Sequence, residues 1–143
     1  MLFRSGRGIR TLTASIAQSR LSLALHDGKR PGADPRVLAA EVFAKYSPFE
    51  RLEGTAHPAS WEHMNGDHYS AAYYTYLWSS TIARDLHTAF SGDLMDTRVS
   101  LRYRDQILAP GGTKPAADLV KDFLGRPGDL RAFKAWLTGP AAT

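Results

Sequence analysis

The run His63-Met64-Asn65-Gly66-Asp67-His68-Tyr69-Ser70-Ala71-Ala72-Tyr73-Tyr74-Thr75-Tyr76-Leu77-Trp78 decides how this sequence is read. From His68 or Tyr69 its pattern predicts a long helix that continues to Phe90 and closes at Ser91-Gly92. Each helical residue advances about 100°, so Tyr69, Tyr73 and Tyr76 fall within roughly 60° of one another on one face. Tyr74, Leu77 and Trp78 then point elsewhere and read as packing. His63 precedes the helix across a polar turn that contains Gly66.

Two readings fit the three tyrosines. They form an amphipathic face with hydroxyls at the core boundary, or a wall of neutral hydrogen-bond donors aimed at a polar substrate. Spacing alone does not choose between them.

Helix signals dominate outward from this run. Upstream, residues from about Thr11 to His26 place Leu12, Ile16 and Leu23 at apolar positions, with Gly28 set to end the helix left-handed. Asp34 reads as an N-cap and Pro35 as its first-turn residue, opening a helix through Val37, Leu38, Val42 and Phe43 to about Tyr46. Between Ser47 and Asp67 the periodicity fails, and Pro48, Gly54, Pro58 and Gly66 mark a loop of about twenty residues with room for one short helical turn. Connections that long are often functional.

Downstream, Asp96 caps a helix with Val99, Tyr103 and Ile107 on one face, which Pro110-Gly111-Gly112 stops. Thr113 reads as the next cap, with Leu119, Val120, Phe123 and Leu124 inward. Gly125 and Pro127 break the chain before a last helix bearing Leu130, Phe133, Trp136 and Leu137. The expected class is all-α: an irregular bundle of five or six helices, forming one domain over residues 1–143, with a functional loop near residues 47–67.

Composition narrows the function. The chain has 143 residues, 43% hydrophobic and 22% charged, in the ordinary globular range. It has no cysteine, which removes disulfides and thiolate metal sites and suits a reducing cytoplasm. No apolar run approaches the ~20 residues that span a bilayer, so no membrane is expected. The net charge is +4, and Arg4, Arg7, Arg10 and Arg20 all precede the first acid, Asp27. Such a start matches a transit peptide or a basic first helix. The apolar pattern runs on into Leu21, Leu23 and Leu25 without a cleavage-like break, which favours the helix. The later basic residues are spread among acids with no stripe, so nucleic acid is not an expected partner.

The central run, with Ser79 after it, resembles the signature of the thimet oligopeptidase and peptidyl-dipeptidase family, the oligopeptidase A-like zinc metallopeptidases. Three further segments are similar to that family in the same order: Gly54-Thr55-Ala56-His57-Pro58-Ala59-Ser60-Trp61, then Arg102-Tyr103-Arg104-Asp105-Gln106-Ile107-Leu108-Ala109-Pro110-Gly111-Gly112, then Phe123-Leu124-Gly125-Arg126. The likeness spans about residues 11 to 138 and implies the C-terminal portion of a metallopeptidase catalytic domain. It implies substrate binding by His63, Tyr69, Tyr73 and Tyr76, with Tyr73 and Tyr76 also stabilising the transition state in the complete enzyme. Where the family's turn is glycine-rich, this chain reads Asn65-Gly66-Asp67-His68.

That family holds zinc with His-Glu-x-x-His and a later glutamate. The five histidines here, His26, His57, His63, His68 and His87, include no such pair. His63 and His68, with Asp67, read as loop residues or as an independent metal site. The expectation is therefore no metal in this chain, zinc in the complete enzyme, and no hydrolysis by the chain alone. Expected partners are short peptides and either the zinc-bearing segment or a self-associated copy. The alternative is a non-catalytic α-helical module that binds peptides or proteins.

Overall fold

The computed structural model describes residues 6–47, 52, 54–64, 69–90 and 92–139, with side chains of the first helix from Thr13 onward. The expected apolar contact of Leu12, the turn at residues 65–68 and the closing Ser91 lie outside the described residues. The chain folds as two compact units, one ending at Leu77 and the other running from Trp78 to Gly139. The described residues are all-α, with seven α-helices and no strand among them.

In the first unit, α1 (Gly6–His26) ends as its sequence predicts. The Asp27 N–H still reaches the Leu23 carbonyl at 2.9 Å, and Gly28 then takes φ +69°, a conformation that costs other residues a Cβ clash. Helix α2 (Pro35–Tyr46) starts on Asp34, whose carboxylate accepts the Arg36 N–H at 2.7 Å while Pro35 fills the first turn. Arg30 pairs with Glu41 to tie the intervening loop to α2. The core is Leu21 from α1, Leu38 and Ala39 from α2, and Trp61, with Leu25, Ala33, Val42, Phe43, Met64 and Tyr73 packed against it. The buried face of α1 centres on Ala17 and Leu21, both fully inside, so Ile16 and Leu23 sit at its edges.

The expected loop holds two short helical pieces among its described residues. These are α3 (His57–Ser60), with Pro58 in its first turn, and a 3-10 turn over Glu62–Met64. Two features of the following stretch differ from the sequence reading. Helix α4 is Thr75–His87, closed by a 3-10 turn over Thr88–Phe90, rather than beginning at residue 69. Residues 69–74 instead form a chain of tight turns. Here Ala72, Thr75, Tyr76 and Leu77 each donate three residues back, to Tyr69, Ala72, Tyr73 and Tyr74.

The Ser70 carbonyl in this stretch accepts from the buried Ser22 hydroxyl of α1 at 2.6 Å, which ties the turns to α1. The neighbouring Tyr73, Tyr74 and Thr75 are poor helix formers, which weakens the α-helical alternative. The second difference concerns packing. Tyr74 and Trp78 are 50% and 62% exposed. Tyr74 projects from the tight turns, and Trp78 lines an open groove with Thr81, Ile82, Val120 and Leu130.

The second unit comprises α4 from Trp78, α5 (Thr97–Tyr103), α6 (Ala116–Leu124) and α7 (Arg131–Thr138). Asp96 caps α5 as predicted, accepting the Arg98 N–H at 2.9 Å. After Tyr103 the helix widens to a π-helical turn over Arg104–Leu108, with the Ala109 N–H bonded to the Arg104 carbonyl at 2.8 Å. Val99, Tyr103 and Ile107 nonetheless stay half-buried, as their spacing predicts, while Leu101, Arg102, Arg104 and Asp105 are exposed.

Thr113 does not cap α6. It lies in a 3-10 turn, and Pro115 holds the cap position without a side-chain bond. Proline forces the preceding Lys114 into extended backbone (φ −146°, ψ 165°), which separates Thr113 from the helix. Leu119, Val120 and Phe123 are buried as expected, and Gly125 ends the helix at φ +70°. Tyr103 packs edge-on against Phe123 at 5.6 Å, and the Arg84 guanidinium lies 4.3 Å from the Trp136 ring centre.

An ion pair fastens the end of α6 to α4. Asp85, 1% exposed, takes two bonds from the Arg126 guanidinium (2.6 and 3.0 Å) and one from the Asp129 N–H (2.8 Å). The Arg126 hydrogen bond lowers the Asp85 carboxyl below its usual 3.8, against the opposing effect of burial. A lowered carboxyl stabilises the fold above its ordinary value, and that contribution is lost as pH falls through the depressed value. Arg126→Met leaves the buried carboxylate unpaired. It is expected to cost about 2–3 kcal/mol in urea unfolding of the second unit, a loss that narrows as pH falls and the carboxylate takes up its proton. An unchanged midpoint would refute the pairing.

Candidate functional site

The sequence-predicted residues His63, Tyr69, Tyr73 and Tyr76 all lie in the first unit, and the structure brings the four together. His63 is in the 3-10 turn, Tyr69 and Tyr73 in the tight turns, and Tyr76 in the first turn of α4. The His63 ring meets Tyr69 at 5.3 Å, Tyr73 at 5.4 Å and Tyr76 at 5.9 Å, each edge to face. Tyr69 and Tyr76 stack with planes 6° apart and centres 5.8 Å apart, while Tyr73 leans on Tyr76 at 5.0 Å. Imidazole is therefore surrounded by phenols, an arrangement in which ring edges face electron-rich faces.

The hydroxyls form a network at the surface. His63 Nε2 and the Tyr76 hydroxyl are 3.2 Å apart and hydrogen-bonded, the donor following the imidazole tautomer. Tyr69 and Tyr76 are 40% and 43% exposed, and Tyr73 is half-buried. The hydrogen bond to Tyr69 raises the Tyr76 phenol above its ordinary 10, helped by burial and by the charges that Tyr69 and Tyr73 would carry as phenolates. Burial likewise raises Tyr73, while a hydrogen bond from the Trp61 indole works the other way. A phenol is protonated at neutral pH already at its ordinary value, and both shifts act in the same direction, so each is a neutral donor for a carbonyl oxygen.

One residue at this site carries no role in the sequence reading. Trp61, two positions before His63, lies under Tyr73 with ring centres 4.8 Å apart and planes at 71°. Its only signal in the sequence is an aromatic residue in the segment leading to His63.

A zinc ion does not fit these residues. The ring neighbours of His63 are phenols, and no group of three or more His, Cys, Asp or Glu able to hold a metal occurs among the described residues. His68 and Asp67, the other members of the candidate loop metal site, lie outside the described residues.

The chain belongs to peptidase family M3, whose model matches residues 5–138. It is 43% identical over 75 residues to saccharolysin of Saccharomyces cerevisiae, an alignment covering 52% of this chain and 10% of that protein. It is 33% identical over 112 residues to oligopeptidase A of Escherichia coli, covering 76% of this chain and 16% of the relative. A thimet-like oligopeptidase of Dictyostelium discoideum is 33% identical over 82 residues, covering 57% and 12% respectively. The chain thus spans 10% to 16% of the length of these relatives and corresponds to one part of an oligopeptidase.

The hydrogen bond between two phenols sets a test of the geometry. A proton held more tightly in the folded state stabilises the fold below the ordinary phenol value, and that contribution is lost as pH rises through the raised one. Tyr76 should titrate above 10 when its ring carbons are followed by NMR. Tyr69→Phe should return it toward 10. An identical Tyr76 titration in both proteins would rule out the Tyr69 bond.

Proposed function

We propose that this chain is the C-terminal, substrate-binding part of a zinc-dependent oligopeptidase and does not hydrolyse peptides alone. The observation that supports it most is the convergence of His63 with three phenols at ring distances of 5.3 to 5.9 Å. An extended peptide presents carbonyl oxygens along its backbone, and a row of neutral donors recognises them without demanding a particular side chain. In this reading His63 and Tyr69 bind the substrate backbone. Tyr73 and Tyr76 bind it as well, and they also donate to the oxygen on which charge develops during peptide cleavage. Zinc belongs to the complete enzyme and to residues outside this site. The absence of cysteine supports a reducing cytoplasm as its compartment.

Calorimetric titration with short unblocked peptides tests the binding role. Tyr73→Phe and Tyr76→Phe each remove one donor and keep the ring. Each is expected to weaken affinity about five-fold, the net worth of an ordinary hydrogen bond. Undiminished affinity in both variants would defeat the assignment. Chelator-sensitive hydrolysis by the purified chain with added zinc would overturn the claim that it is inactive alone.

The binding partner for the remaining surface is, in the same proposal, the zinc-bearing segment of the family's catalytic domain or a second copy of the chain. Trp78, Leu94, Met95, Leu101 and Leu108 are between 48% and 85% exposed, and apolar surface of this kind tends to be covered. Sedimentation velocity of the chain alone should show dimers or larger species that dissociate on dilution. A clean monomer at high concentration would exclude self-association.

A further inference from the structure

Tyr73 is the one site phenol that faces both ways. Its ring contacts Tyr76 and His63 on the exposed side, at 5.0 and 5.4 Å, and it packs against the core of the first unit on the other. The group that meets it from the core is Trp61, 7% exposed and clustered with Leu21, Leu38 and Ala39. Rings continue behind it, from Trp61 to His57 at 5.7 Å and from His57 to Phe43 of α2 at 5.2 Å. A tryptophan buried to this degree removes roughly 150–250 Å² from water. That burial far outweighs any single ring contact, so Trp61 sets the position of Tyr73 and not the reverse.

We propose that Trp61 is the positioning residue of the site: its core-anchored indole holds the Tyr73 ring edge-on and so fixes where the phenol hydroxyl stands. A tyrosine on a tight turn has two rotatable side-chain bonds and a backbone without α-helical bracing. The indole supplies the bracing that the missing helical turn does not. The consequence for peptide affinity rests on the proposed function above; the geometry of the Trp61–Tyr73 pair does not.

The test uses the full chain and reads the pair directly. Trp61→Phe keeps an aromatic ring in the core and removes the N–H. Its Tyr73 phenol, followed by ring-carbon NMR, should titrate higher than in the parent chain, because the donor that lowers it is gone. Peptide affinity should fall about five-fold, by one hydrogen bond. The reciprocal variant Tyr73→Phe guards against a Trp61 variant that fails to fold. In it the Trp61 indole N–H resonance should move and exchange with solvent faster. An unmoved indole resonance in Tyr73→Phe, or an unmoved Tyr73 titration in folded Trp61→Phe, would overturn the proposal. If the resonances respond while no variant changes peptide affinity, the positioning stands and the peptide-binding reading fails.

Discussion

Burial of the Trp61 indole against Leu21, Leu38 and Ala39 is the constraint on which the candidate site depends. Its side chain belongs to the segment between α2 and α4, a stretch poor in regular structure. At about 25 cal/mol per Å², covering an aromatic of this size is worth roughly 4–6 kcal/mol. An individual ring–ring contact contributes about 0.5–1.5 kcal/mol. The indole therefore pins the segment to α1 and α2, and His63, two residues on, is held near the phenols as a result. The site phenols add contacts to a position already fixed.

A second constraint acts from α1. The Ser22 hydroxyl, inside the core, donates to the Ser70 carbonyl and fastens the three-residue turns to α1. The tighter winding alters the path from Tyr69 to Tyr76, yet the rings still meet around His63. Stacking of Tyr69 on Tyr76 and the tilt of Tyr73 are properties of this turn and not of an ideal helix face. Crowding pushes the Tyr73 and Tyr76 phenols above their ordinary value, the direction that favours the protonated donor form.

The second unit shows how a sequence motif serves architecture. Phe123-Leu124-Gly125-Arg126 ends α6, turns left-handed at Gly125, and sends Arg126 to the buried Asp85 of α4. Gly128 completes this junction. A Cβ there would stand 3.2 Å from Val120 Cγ1 and 3.6 Å from the Asp85 carboxylate, so glycine is the residue that lets the 127–129 segment approach. This part of the family pattern is accounted for by folding within the unit.

The sequence by itself determined the all-α class, the caps at Asp34 and Asp96, the stops at Gly28 and Gly125, and the candidate residues His63, Tyr69, Tyr73 and Tyr76. Those features rest on short-range chemistry: a carboxylate reaching two residues along, a glycine accepting a left-handed turn, phenols repeating at near-helical spacing. Its several ordered motifs likewise pointed to the peptidase family to which the chain belongs. Tertiary structure alone decided that α4 starts at Thr75, that α5 widens after Tyr103, that Thr113 is no cap, and that Trp61 backs Tyr73. The anchoring of the tight turns and the Trp61 contact depend on partners far along the chain, Ser22 for Ser70 and the α1–α2 core for Trp61, and local patterns carry no record of where distant groups will stand.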